Sequence, residues 1–275
     1  MPTFVRDSVT LHYELDATSD GDPAVYICGF SDHSNSVFSN GIRQNLSKHY
    51  RVLTVDNRGA GQTVVDESTS SSIADMADDI SAIMDAEGIT SAPILGISMG
   101  GYIALTLALR HPQKVKSLAV AVSAMVAYSP SRSIFMLETA QAMIDAGLPQ
   151  DFINRYTATY LLSEDTFKHA GFMRAWLNAP ADPLRQTSAG FTLQKNALAG
   201  FDLREQATNI TMPTLVVSSP DDLLVPPHLQ DEMVSLLPNA EIKRYAGGHV
   251  FMGLPMYKAT FFEDVFTFWK KANER

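Results

Sequence analysis

The sequence predicts an α/β fold: a mainly parallel, doubly wound sheet covered by helices and carrying one helical insertion. Three observations predict it. Short β-rich runs alternate with longer helical patterns, most of those runs are apolar at every position, and the alternation stops between residues 128 and 209. A strand buried on both faces reads as a continuous apolar run, and helices between such strands imply parallel crossovers.

The elements follow in chain order. The opening segment places Val5, Val9, Leu11, Tyr13 and Leu15 in an alternating pattern, which reads as one strand with a single covered face. Strands are expected at 24–28 (AVYIC) and 52–55 (VLTV). Ile73, Met76, Ala77, Ile80, Ile83 and Met84 recur at helical spacing, so residues 73–86 should be an amphipathic helix. A strand at 93–97 (PILGI) leads into a helix closed by His111 and Pro112, and a strand at 118–122 (LAVAV) precedes the insertion. Residues 128–209 hold helical patterns punctuated by Pro and Gly, with no convincing strand. Strands at 214–218 (TLVVS) and 241–245 (EIKRY) then resume the sheet. Residues 1–127 and 210–275 are therefore expected to form the core domain, with 128–209 as a helical cap.

The chain has 275 residues, 45% of them hydrophobic and 19% charged, a composition that supports one large core. Its formal net charge of -9, with no basic run, disfavours nucleic acid as a partner. No apolar window approaches the ~20 residues of a membrane span. The first residues lack the basic and apolar regions of a signal peptide, and Cys28 stands alone, which excludes an intramolecular disulfide. A cytoplasmic protein acting on a small molecule, as a monomer or homodimer, is the expectation.

Residues 96–100 read Gly-Ile-Ser-Met-Gly, between the apolar run APILGI and the helical run GGYIALTLALR. A sharp strand-to-helix turn needs small flanking residues, because its serine takes a strained backbone conformation and the helix passes close to the strand. A helix-capping role would explain Ser98 but not Gly96, Gly100 and Gly101 around it. A serine hydroxyl is a weak nucleophile unless a base lies within hydrogen-bond reach and an acid orients that base. Of the seven histidines, His249 has the fitting context: it follows a strand and a double glycine in YAGGHVFM. The acid should follow a late strand, and PTLVVSSPDDLLVPP offers the adjacent pair Asp221 and Asp222. The short step from Asp222 to Pro226 keeps the loop tight after the acid and favours Asp222.

These motifs resemble the α/β-hydrolase family over nearly the whole chain outside 128–209. The order Ser98, Asp222, His249 is the family's order, and its D-x-R-G-x-G-x-[ST] loop is present from Asp56 to Thr63. GISMGGYIALTLALRHPQKVKSLAV is similar to the branch of 3-oxoadipate enol-lactonases and small-ester hydrolases. The resemblance implies a Ser98–His249–Asp222 triad, with the backbone amides of Phe30 and Met99 as the oxyanion hole. Where the family usually carries His-Gly before that loop, this sequence reads Cys28-Gly29. No metal is expected, since no histidine pair has ligand spacing, and no organic cofactor, since Gly59-Ala60-Gly61 lacks the full dinucleotide fingerprint.

The expected activity is hydrolysis of a carboxylic ester or lactone through an acyl-enzyme. Ser98 removes the dehalogenases of the same fold, which use an aspartate there. Two alternatives stay open: a C–C bond hydrolase of a vinylogous diketone, for which Lys168, Arg174 and Arg185 could meet a charged substrate, and a slow-turnover receptor for a small ligand. Large apolar residues in the insertion, among them Phe135, Phe152, Tyr160, Trp176 and Phe191, should mostly be buried. They imply an apolar ceiling over Ser98 and a preference for uncharged, small to medium substrates over long-chain lipids and dianionic acids.

Overall fold

A computed structural model describes residues 2–16, 21–66, 69–127 and 131–274. The chain opens with a hairpin in which β1 (Thr3–Arg6) and β2 (Val9–Leu15) pair antiparallel. The single strand read from the alternation is thus two, because Asp7 and Ser8 hold positive φ (48° and 63°) and make the two-residue turn between them. Such turns match the twist of the strands they join. Next come β3 (Pro23–Ile27), α1 (Val37–Leu46), β4 (Arg51–Val55), α2 (Ile73–Ala86), β5 (Ala92–Ile97), α3 (Met99–Arg110) and β6 (Val115–Ala121). Five helices follow: α4 (Arg132–Asp145), α5 (Gln150–Leu161), α6 (Glu164–Phe167), α7 (Ala170–Leu177) and α8 (Ser188–Leu198). The chain closes with β7 (Thr214–Ser218), α9 (Pro227–Leu236), β8 (Ala240–Arg244) and α10 (Pro255–Asn273).

The strands form one eight-stranded sheet in the order β1-β2-β4-β3-β5-β6-β7-β8, parallel from β4 to β8. Alternation along each strand divides the core. Val25 and Ile27 face the cluster built by α2, α3 and α9, whereas Ala24, Tyr26 and Cys28 face the cluster built by α1 and α10. The pattern analysis assigns neither α1, α9 nor α10. In α1, Ile42 and Leu46 are the only large apolar residues that are buried, so its stripe is faint. Helix α10 carries a plain signal in Phe261, Phe262, Val265, Phe268 and Trp269, all buried. From β3 the chain passes to β4 on one side and, later, to β5 on the other. In parallel sheets that reversal opens a crevice at the carboxyl ends of the strands, where ligands bind.

Between β6 and β7 the described residues hold helices and no strand; the expected start of the insertion, at Tyr128, lies outside them. Tyr160 and Phe191 are buried, but Phe135 and Phe152 are 69% and 56% exposed, and Trp176 is half-buried. General burial of these side chains is therefore corrected. Parts of the inserted helices face solvent and carry these exposed rings. No helix among the described residues is long and apolar enough to cross a membrane.

Candidate active site

Ser98 sits between β5 and α3 with φ 55° and ψ -121°, a conformation that costs about 1–3 kcal/mol in a non-glycine residue. Its neighbours make the turn possible. A Cβ on Gly96 would lie 2.4 Å from the Gly100 carbonyl oxygen, and one on Gly100 would lie 2.1 Å from that of Ile27. The Ser98 amide donates to the Ala121 carbonyl at 2.9 Å, which fixes the turn against the end of β6. The hydroxyl thus stands at the carboxyl edge of the sheet, in the crevice beside β3.

Asp222 follows β7 and His249 follows β8, and the two meet. His249 Nδ1 lies 2.8 Å from Asp222 Oδ2, and both residues are buried. The other carboxylate oxygen accepts the amides of Leu224 (2.8 Å) and Val225 (3.0 Å). The loop thereby holds one oxygen and leaves the other to the imidazole. The negative charge is felt nearby: burial first, then Asp222, raises the Tyr102 hydroxyl above its ordinary range. Gly247 and Gly248, with φ of 117° and 83°, turn the chain so that His249 points inward. Asp221 is exposed, and its carboxylate accepts the Gly247 amide at 3.5 Å. Ser98 and His249 line one cavity of about 360 Å3. Among the described residues no hydrogen bond joins them directly, and catalytic contacts of this kind commonly tighten only when substrate binds.

Phe30 and Met99 flank Ser98. Neither backbone amide donates to a protein acceptor among the described residues; for Met99, the first residue of α3, helix geometry supplies none. Cys28 is buried with its sulfur 3.4 Å from Ser39 Oγ, and burial pushes its thiol well above the usual range. A depressed pKa is what makes a thiol reactive, so Cys28 is inert packing.

A model of the alpha/beta hydrolase fold matches residues 23–253. The chain belongs to the α/β-hydrolase family. Among relatives of this α/β-hydrolase, a RutD protein of Caulobacter vibrioides, provisionally named a carbamate hydrolase, is 30% identical over 254 residues, covering 88% of this chain and 89% of its own. A Mycobacterium tuberculosis protein provisionally named non-heme bromoperoxidase BpoC is 28% identical over 235 residues, covering 84% and 87%. The crystal structure of the enol-lactonase from Burkholderia xenovorans LB400 superposes with a TM-score of 0.80 at 22% identity, covering 98% of this chain and 100% of that one.

The structure adds residues to this α/β-hydrolase site that the sequence motifs do not single out. Asp32 lines the cavity and accepts the Ser39 hydroxyl at 2.5 Å. Gln194, on α8, is fully buried. It accepts the Ser31 amide at 2.9 Å and donates to the Arg58 carbonyl at 3.0 Å, tying an inserted helix to the loops after β3 and β4. Its signal was present: Phe191, Gln194, Ala197 and Leu198 share one helical face, and a glutamine there needs buried partners. The Asp56 loop is held from within, since Asp56 accepts the amides of Ser34 (2.7 Å) and Gln62 (2.9 Å). Among the described residues no group of three or more His, Cys, Asp or Glu side chains could hold a metal ion.

Proposed function

We propose that the chain is a serine hydrolase that cleaves a carboxylic ester or lactone of a small to medium, mainly apolar substrate through an acyl-enzyme. One observation carries the reading. A buried Asp222–His249 pair opens into the same cavity as a serine held in a left-handed strand-to-helix turn.

Donation from His249 Nδ1–H to Asp222 leaves Nε2 as the base. Ser98 Oγ attacks the carbonyl carbon while Nε2 takes its proton, and the Phe30 and Met99 amides donate to the oxygen that becomes negative. Preorganised donors of this kind are worth about 3–4 kcal/mol each to the transition state. The imidazolium returns its proton to the departing alkoxide. Water, deprotonated by Nε2, then attacks the acyl carbon, the acid leaves and Ser98 regains its proton. Residues 128–209 act as the cap, since α4, α5, α7 and α8 all contribute side chains to the cavity.

Carbamates are the second acyl class to assay, because a 30% identical relative carries that name. The C–C hydrolase alternative loses support from the placement of the three cations expected to serve it. Lys168 is exposed and bound to Asp165 at 2.5 Å, Arg185 lines a separate groove, and Arg174 lines no part of the cavity.

The Ser98→Ala variant should lose about 10³-fold or more in ester hydrolysis, since a triad acts as a unit, while its thermal unfolding stays unchanged. Turnover of short p-nitrophenyl esters measures this. A variant that keeps most of the wild-type rate removes the assignment, and thermal stabilisation by ligands without any turnover favours a receptor.

A further inference from the structure

The cavity beside Ser98 is lined by the rings of Phe30, Phe38, Trp176 and Phe191, and by one carboxyl group, Asp32. Among the described residues no lysine or arginine lines it. Asp32 is held firmly: one oxygen accepts the His33 amide at 2.9 Å and the other the Ser39 hydroxyl at 2.5 Å. Ser39 Oγ is in turn 2.8 Å from the Tyr26 hydroxyl. The Ser36 side chain is a third donor to Asp32, which leaves one of the carboxylate's about four acceptor sites for a further bond. Burial raises the Asp32 carboxyl above the usual range in spite of its donors and of the nearby His33, and a cation in the cavity would favour its ionised form.

One unpartnered hydroxyl also faces the cavity. Tyr160 is 3% exposed, and its hydroxyl has no protein partner among the described residues although it lines the cavity. Water, or a hydroxyl or carbonyl of a ligand in the cavity, can meet it, which by itself sets no charge preference. Electron-rich ring faces around a fixed carboxylate form the environment that attracts an alkylammonium ion, by cation–π contact and by charge. A carboxylate in the same place would meet Asp32 with no lysine or arginine among the described lining residues to offset the repulsion, His249 being the one titratable nitrogen there.

We propose that the substrate taken by this cavity carries a cationic alkylammonium group, held by Asp32 and the surrounding aromatic side chains. This rests on the ester-hydrolase reading and goes beyond the uncharged substrate that the apolar residues alone imply. A purely local role for Asp32, fixing the loop through His33 and Ser39, gives no charge preference, so charge order is the readout.

Calorimetric titration of the whole protein at pH 8 with pentyltrimethylammonium, 1-hexanol and hexanoate reads binding without turnover. The ammonium ion should bind about tenfold or more tighter than hexanoate, with the alcohol between them, and Asp32→Asn should cut the cation-to-anion ratio by about tenfold. Equal or tighter binding of hexanoate to the wild type overturns the proposal, and so does an unchanged ratio in the variant. If the variant does not fold, the wild-type order alone decides. Turnover of a neutral p-nitrophenyl ester, measured in parallel, separates the two readings. A chain active on that ester with no cation preference defeats this inference only, whereas inactivity on every ester defeats the proposed function and leaves the binding order to be read.

Discussion

Asp221 and Asp222 are the same side chain one position apart, and their surroundings separate them. Asp222 is 2% exposed and divides its oxygens between the imidazole and two amides, whereas Asp221 faces solvent. In the proposed mechanism the acid at Asp222 fixes the tautomer of the base, and its amide replacement presents a donor to Nδ1 in place of an acceptor. Asp222→Asn should therefore lower kcat by about 10⁴-fold, and Asp221→Asn by less than about threefold, within the small effects of surface substitutions. Steady-state kinetics on one ester compares the two directly, and the reverse ranking would move the acid to Asp221. Ser98 and His249 were legible because their signals are local: glycines whose Cβ positions are filled by neighbouring atoms, and a double glycine before the base. Asp32 was not, because its meaning lies in what surrounds it. Only the fold brings Phe191 and Trp176, more than 140 residues away, to the same cavity.

At the scale of elements, legibility followed the environment each face meets. Strands β3 to β7 announce themselves because a central parallel strand is apolar on both sides, and β8, at the sheet edge, is mostly exposed and carries Glu241, Lys243 and Arg244. The inserted helices were readable as helices, but which of their faces is covered was not, since Phe135 and Phe152 sit on outer faces. Apolar packing holds those helices down, and polar ties add to it. Gln194 joins α8 to the backbone of Ser31, one residue past the Phe30 amide, and to Arg58, while Gln186 reaches both Gln194 (2.8 Å) and the Gly59 carbonyl (2.9 Å). Gly59 and Gly190 approach so closely that a Cβ on Gly190 would lie 2.2 Å from the Gly59 oxygen. Replacing Gln194 by Leu strands several buried groups, each costing about 1–3 kcal/mol when left unpaired. Gln194→Leu should lower the denaturation midpoint and reduce kcat more than it raises KM, because the Ser31 amide it releases adjoins the Phe30 amide, a proposed oxyanion donor. A variant that unfolds earlier yet keeps the wild-type kcat would show that the tie is structural only.

For the whole molecule, the sheet carries the groups proposed to react and the insertion supplies the space. Ser98, Asp222, His249 and the Phe30 amide all stand on loops at the carboxyl ends of strands, so their relative positions are set by a rigid core. The cavity volume is set by the inserted helices. That volume, about 360 Å3, lies near the lower end of ligand pockets, which run from about 300 to 1,000 Å3. At about 30 Å3 for each water-sized group, it holds roughly a dozen such groups. A second space of about 200 Å3 on the Met99 side of Ser98 reaches His228 and Leu223, so the acyl and leaving groups can lie on opposite sides of the nucleophile. Among p-nitrophenyl esters, kcat/KM should rise with acyl length while added methylenes find apolar surface, by up to about 0.8 kcal/mol or fourfold for each. It should peak between about four and eight carbons and fall by about tenfold or more at sixteen, where the chain must leave the cavity or displace α4 and α5. Initial rates across the even-numbered acyl series at fixed detergent measure the profile. A rate that keeps climbing to sixteen carbons would mean that the inserted helices open as a layer, and that the cavity bounded by Leu137, Ile144 and Leu161 does not limit the substrate.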